Sequence, residues 1–461
     1  MRVSVIVPVY NGRTYIERCL GSIVPQLDED MEVIVVDDAS DDGTFEVLEE
    51  RYKDDRRVIL VRSYLNRGVA ASRNTGILLS RGDYISFCDS DDEWKEDKLK
   101  RQLRLLEENE DPDMCFCDCE NITESDSDIA RELMESARED RIHFRCGLMR
   151  REVFKKTGLL NEEMRIREDT EWLVRARKAG CTFEFIDESL YVRHIYDEGL
   201  SASADPKEKK QRILDAFMKG LKNEHGDRCI YDLSVMIPVY NAEKYLEEAV
   251  KSCHSDKHSC EIIMVNDGSK DGSLEVMKRM AEELKDRMPV TICQRAHKNQ
   301  ASSRNDAYNI SRGKILLYLD ADDRFTEDAI DKLMEEAEID PEAMVISALC
   351  QDFISPELTA EEASRLKIEP RPYRRMLAGC MLIRREVFDV TGNYDEDMAT
   401  SETAKWVLSI RDAGLKIKDT DHIVLARRYH LNNLGRTNRE AQMNSYMDMI
   451  RKRLKERSGK I

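Results

Sequence analysis

Two aspartates one residue apart, Asp89 and Asp91, follow the apolar run Tyr84 to Cys88, so their carboxylates emerge together where a strand would end. Paired hard oxygen ligands at that spacing suit Mg²⁺ or Mn²⁺, which binds few carboxylates and completes its shell with phosphate oxygens and water. The same residues also read as an acidic turn, with Asp92 or Glu93 near the N-terminus of the next helix. Cys115, Cys117 and Cys119 recur at every second position. That period puts them on one face of a strand, whereas structural zinc sites space their ligands two to four residues apart on a turn.

The elements that would position these residues follow from hydropathy. Short β-branched runs over 3–9, 32–36, 58–61 and 84–87 alternate with helical patterns over 14–24 and 44–52. That alternation predicts crossover connections and a mostly parallel sheet, hence an α/β fold with ligands at the carboxyl ends of the strands. At 461 residues the chain exceeds the size of one growing core, so two domains are expected.

The domains are copies. Ser4-Val5-Ile6-Val7-Pro8-Val9-Tyr10-Asn11 returns as Ser234-Val235-Met236-Ile237-Pro238-Val239-Tyr240-Asn241, about 230 residues later. Asp89-Ser90-Asp91-Asp92 returns as Asp320-Ala321-Asp322-Asp323, and Arg150-Arg151-Glu152-Val153-Phe154 as Arg384-Arg385-Glu386-Val387-Phe388. A period this long is a whole domain. The expected division is a first domain over 1–204, a helix and linker over 205–230, a second domain over 231–435, and a basic amphipathic helix over 436–461.

The formal charge of −19 disfavours nucleic acid and anionic membrane as general partners. Thirteen scattered cysteines fit a reducing compartment better than a disulfide framework, and no stretch approaches a spanning helix. The expectation is a soluble, cytoplasmic chain. Its last helix carries Met443, Tyr446, Met447, Ile450 and Leu454 on one stripe, with Arg451, Lys452, Arg453, Lys455 and Arg457 behind it. That helix either packs on its own domain or touches an anionic membrane surface.

The ordered set Pro8-Val9-Tyr10-Asn11, Asp37 to Thr44, Ala71-Ser72-Arg73-Asn74 with Gly76, Arg81-Gly82-Asp83-Tyr84 and Asp89-Ser90-Asp91 resembles family 2 inverting glycosyltransferases of the GT-A fold, in each half of the chain. The resemblance implies a nucleotide-sugar donor, in particular a UDP-sugar, and an acceptor hydroxyl on a glycan, a lipid-linked glycan or a peptide. It implies that Pro8, Tyr10 and Asn11 border the nucleotide base, that Asp38 accepts from the uracil ring, and that Arg73 sits near the donor. Asp89 would contact ribose or metal, and Asp91 the cation between the phosphates, Mn²⁺ or Mg²⁺. In Arg167-Glu168-Asp169-Thr170-Glu171-Trp172, Asp169 matches the family's general base, while the plain alternative is an acidic first turn suited to the helix dipole. His194 matches a position that approaches the metal or diphosphate.

The second copy keeps Pro238, Tyr240, Asn241, Asp267, Arg304, Asp320, Asp322 and His430, so nucleotide binding and a metal motif are expected there as well. It departs at the base: Thr403 falls on Asp169 and Lys405 on Glu171. A threonine hydroxyl is no general base near neutral pH, so lowered or lost activity is expected in this copy. Alternatives are a two-site polysaccharide synthase and a nucleotide-sugar-binding scaffold. Acceptor choice is assigned to loops such as 121–141, and 197–203 reads as a loop that closes over the donor.

Overall fold

The computed structural model describes residues 1–123, 142–164, 167–196, 229–398, 402–431 and 433. The interdomain helix, the basic C-terminal helix, the 197–203 loop and most of the 121–141 loop lie outside these residues. The chain divides into two compact units, Met1–Asp227 and Arg228–Ile461.

In the first unit, β1 (Val3–Val9), β2 (Met31–Asp38), β3 (Val58–Ser63) and β4 (Tyr84–Phe87) form a parallel core in the order β3-β2-β1-β4. Every residue of β1 and β2 is buried, as expected for central strands covered on both faces. β2 extends beyond the predicted 32–36 because Asp37 and Asp38 are themselves in the ladder, opposite Arg62 and Ser63. Beyond β4 the sheet turns mixed: β7 (Leu148–Arg150) is antiparallel to β4 and β6 (Met114–Ile122), and β8 (Phe183–His194) runs parallel to β6. The two-residue β5 (Glu93–Trp94) pairs antiparallel with β8.

Helices cover both faces. Helix α1 (Ile16–Ile23) buries Ile16, Cys19, Leu20 and Ile23, one stripe at helical spacing. After α2 (Thr44–Tyr52), helix α3 (Val69–Leu79) is buried along almost its whole length, including Ser72, Arg73 and Asn74. Helix α4 (Lys98–Glu108) packs under β6, and α5 (Glu152–Thr157) leads to α6 (Glu168–Lys178). Cys115 and Cys117 point into the α1 face of the core while Met114 and Phe116 point into the other, which is the one-face placement their spacing predicted.

The second unit repeats the plan with β9 (Tyr231–Val239), β10 (Cys260–Asp267), β11 (Val290–Arg295) and β12 (Gly313–Tyr318) in the parallel order β11-β10-β9-β12. β13 (Arg324–Phe325), β14 (Val345–Ile354), β16 (Met381–Arg384) and β17 (Ile417–Tyr429) complete its mixed edge, with β15 (Tyr373–Arg374) added on β14. In each unit the strand order reverses at the first strand, with the second strand on one side of it and the fourth on the other, and the crevice above that switch point is where a ligand fits an open α/β sheet.

Candidate active site

At the carboxyl end of β1, Asn11 adopts a left-handed backbone (φ 50°) that a short polar side chain tolerates. Its N–H donates to Ser40 Oγ at 2.8 Å and its Oδ1 accepts from Asp41 N at 3.0 Å, stapling the β1 and β2 loops together. Tyr10, the residue after β1, is 54% exposed at this rim, and Pro8 lies within the strand. Asp38 closes the far side. Its carboxylate accepts the backbone N–H groups of Arg67 at 2.9 Å and Gly68 at 2.6 Å, which fixes the entry to α3.

The centre is a buried guanidinium. Arg73 donates to Asp89 Oδ1 at 2.6 Å and to Glu168 Oε1 at 2.5 Å, joining the turn after β4 to the start of α6. Burial works against the Arg73 charge, and Asp89 and Glu168 outweigh it, so the cation is held more firmly than in water. A second arginine, Arg145, reaches Asp89 Oδ2 at 3.3 Å and stands 3.7 Å from Asp92 Oδ2. Burial pushes the Asp89 carboxyl up, yet the two guanidinium groups hold it below its ordinary range. Asp91 has the opposite environment: burial and the charge of Asp89 raise it, and no described side chain donates to its carboxylate.

Asp92 serves the fold. It accepts from Tyr191 Oη at 2.8 Å and from the His194 backbone at 2.9 Å, locking the turn to β8. Among the described residues no three His, Cys, Asp or Glu side chains converge as a complete metal shell. The donors that fit a hard divalent cation are Asp89 and Asp91, one anionic by its arginine partners and one in need of a counter-charge, with the remaining ligands left to phosphate and water.

Asp169 follows Glu168 in the first turn of α6, where its Oδ1 accepts Thr170 N at 2.7 Å. Its charge adds to the field that stabilises Arg73. The helix is pinned from below: Trp172 is fully buried, donates to Gly158 O at 2.9 Å and stacks on Phe154 at 4.8 Å. Asn74 ties the preceding loop to α3 by exchanging two hydrogen bonds with Leu160, at 2.8 and 2.9 Å. Glu171 pairs with Arg175, facing away from the Arg73 bridge.

The second unit rebuilds this centre. Arg304 donates to Asp320 at 2.9 Å and to Glu402 at 2.5 Å, and also to Thr403 Oγ1 at 2.7 Å, the hydroxyl that stands where Asp169 does. Asn241 makes the same staple, to Ser269 Oγ at 3.0 Å and from Lys270 N at 2.7 Å, next to Pro238 and the exposed Tyr240. Lys405, at the place of Glu171, pairs with Asp395.

One correspondence in the sequence is corrected by register. Glu93 pairs with Val192 and Arg324 with Ala426, while Ile122 pairs with His194 and Phe353 with Arg428. Arg428 therefore occupies the place of His194, and His430 lies two residues on, at the place of Tyr196. Ring contacts agree, since Tyr196 lies 4.6 Å from Tyr15 and His430 4.8 Å from Tyr245. The two histidines touch different acids: His194 Nε2 meets Glu93 Oε1 at 2.7 Å, and His430 Nε2 meets Asp322 Oδ2 at 3.0 Å. The repeated aromatic-basic run at the strand end hid a shift that the ladder makes plain.

Arg145 and Glu168 are the site residues that sequence reading missed as such. Glu168 was visible beside Asp169, but Arg145 sits in a short 3₁₀ turn over 144–146 with no motif around it.

The family described as glycosyl transferase family 2 matches residues 4–158 and again 234–390, well over half of the chain. The chain belongs to glycosyl transferase family 2. Among curated relatives of this family member, TuaG of Bacillus subtilis (strain 168), named for teichuronic acid biosynthesis, is 44% identical over 106 residues, 23% of this chain and 42% of TuaG. EpsJ of the same strain, an uncharacterised glycosyltransferase, is 29% identical over 281 residues, 55% of this chain and 80% of EpsJ. The chain thus spans less than half of TuaG. Among solved structures, residues 1–349 of S. aureus TarS in complex with UDP-GlcNAc align at 21% identity and a TM-score of 0.41, covering 48% of this chain and 67% of that one. Among the described residues, no helix is long and apolar enough to cross a membrane.

Proposed function

We propose that the first unit transfers a sugar, with inversion, from a nucleotide-sugar donor to an acceptor hydroxyl, and that Asp169 is its general base. The observation that carries this reading is the Arg73 bridge, which ties the Asp89 turn and the Asp169 turn into one site at 2.6 and 2.5 Å. An acceptor oxygen attacks the anomeric carbon, Asp169 takes the proton of that hydroxyl, and the bond from the anomeric carbon to the diphosphate oxygen breaks. Attack from the face opposite the leaving group inverts the centre. Arg73 and Arg145 keep Asp89 ionised, and Tyr10 and Asp38 offer a nucleobase a ring face and a carboxylate.

Asp89 and Asp91 would hold Mn²⁺ or Mg²⁺, which when bound neutralises charge on the departing nucleoside diphosphate. A UDP-sugar is the donor class that Asp38 suits, because a carboxylate accepts the ring N–H of uracil. The acceptor is a glycan, lipid-linked or peptide hydroxyl; the naming of TuaG for teichuronic acid biosynthesis supports a glycan.

Replacing Asp169 with Asn keeps the shape and removes the base. Turnover should fall by about 10²–10⁴-fold while donor affinity stays within a few-fold. Turnover at the original rate in this variant would sink the assignment.

A further inference from the structure

In the second unit one imidazole makes both contacts that a base pocket offers a nucleobase. His297 stacks on Tyr240 with ring centroids 4.3 Å apart and planes 21° from parallel. The same ring places Nδ1 2.9 Å from Asp267 Oδ2, where the carboxylate makes the nitrogen the donor. A pyrimidine held by Tyr240 and Asp267 would do the same two things: lay its face on the phenol ring and give an edge N–H to the carboxylate. Asp267 is further occupied by Lys298 N at 2.9 Å and by Arg295, whose Nε stands 3.4 Å away.

The first unit has none of these side chains. Asn66 stands at the place of His297 and Ser63 at that of Arg295, while Asp38 is met by the backbone of Arg67 and Gly68. Tyr10, 54% exposed against 45% for Tyr240, has no ring stacked on it among the described residues.

We infer that His297 is an internal nucleobase mimic that closes the second unit's donor pocket, so that the whole chain binds one nucleotide and not two. This rests on the reading of Tyr10 and Asp38 as the base site of the first unit. The imidazole is tethered to the pocket it fills, so an incoming base must displace a competitor of high effective concentration.

The test counts nucleotides per full-length chain by calorimetric titration with UDP, and separately GDP, in the presence of Mn²⁺. Wild type should take up one, and His297→Asn two; His297→Ala should behave like His297→Asn. Adding Asp38→Ala to His297→Asn should return the count to one. Two nucleotides on wild type, or one on both His297 variants, overturns the inference while leaving the first-unit reading intact. A single wild-type site lost on Asp267→Ala but not on Asp38→Ala also overturns it. No nucleotide on wild type would instead sink the first-unit reading on which the inference stands.

Discussion

The two units share their buried framework and differ at the groups that would meet a ligand. In the first, Ser4 Oγ donates to Glu32 at 2.6 Å and accepts from Gly82 N at 2.9 Å; in the second, Ser234 donates to Glu261 at 2.6 Å and accepts from Gly313 N at 2.7 Å. A Cβ on Gly82 would lie 2.5 Å from the Ser4 backbone and one on Gly313 2.3 Å from that of Ser234, so neither copy tolerates a side chain there. Asn74 and Asn305 tie the same loop, and Arg73 and Arg304 bridge the same acids. Against this sameness stand Asp169 and Thr403, and Asn66 and His297. A buried polar network cannot lose one member without leaving another unsatisfied, whereas a group facing a ligand site can change at little cost to the fold.

The sharpest test of the shared framework removes its cation. Arg73→Ala leaves Glu168 without its cation and Asp89 with Arg145 alone, and Arg304→Ala strips Glu402 and Asp320 of their shared guanidinium; each should cost its own unit about 3–5 kcal/mol. Urea unfolding followed by hydrogen exchange resolved to each unit would measure this. A loss below about 1 kcal/mol in the second unit alone would show that its bridge is a relic and not a support.

Lys98 breaks the sameness inside the core. Its ammonium is fully buried, donating to Gln102 Oε1 at 2.8 Å and lying 4.1 Å over the Trp94 ring, with no carboxylate partner among the described residues. The second unit has Ala329 and Leu333 at the places of Lys98 and Gln102. Burial lowers the Lys98 pKa from 10.5, so the unfolded chain binds more protons between the lowered value and 10.5 and stability rises with pH across that window. Lys98→Met should remove that rise and stabilise the first unit at neutral pH, by about 1–4 kcal/mol if it follows other replacements of buried charge by apolar groups. A destabilised Lys98→Met unit would mean that the Gln102 and Trp94 contacts outweigh desolvation.

Much of this was legible in the chain. The β-branched runs gave β1, β3 and β4, and the duplicated Asp-x-Asp segments, with Glu168-Asp169 and its counterpart Glu402-Thr403, marked the turns that Arg73 and Arg304 join. Legibility failed where meaning depends on pairing across the sheet. The offset that aligns Trp172 with Trp406 also sets His194 on Arg428, yet the two histidines look equivalent until the β6–β8 and β14–β17 registers are laid side by side. Arg145 and His297 lie in loops without periodicity, and only three-dimensional proximity to Asp89 and to Tyr240 gives them a role.

The smallest contrast is also the cleanest, because the second unit has already made the substitution. Asp37 is 1% exposed, accepts from Ser40 N at 3.1 Å and lies 3.8 Å from the Arg62 guanidinium; burial pushes its carboxyl up to about 6. Asn266 takes its place in the second unit and accepts from Ser269 N at 3.0 Å with no charge to bury. Between pH 3.8 and about 6 the folded first unit keeps a proton that the unfolded chain has lost, so its stability falls as pH rises through that window. Asp37→Asn should therefore leave stability unchanged near pH 3.5 and raise it at pH 7, with a ceiling of about 3 kcal/mol set by the size of the shift. Arg62 keeps Glu46 as a partner at 2.9 Å, so the loss on that side is small. Unfolding the variant at both pH values checks the sign directly, and a variant weaker than wild type at pH 7 would mean that Arg62 and Ser40 more than offset the burial of the charge.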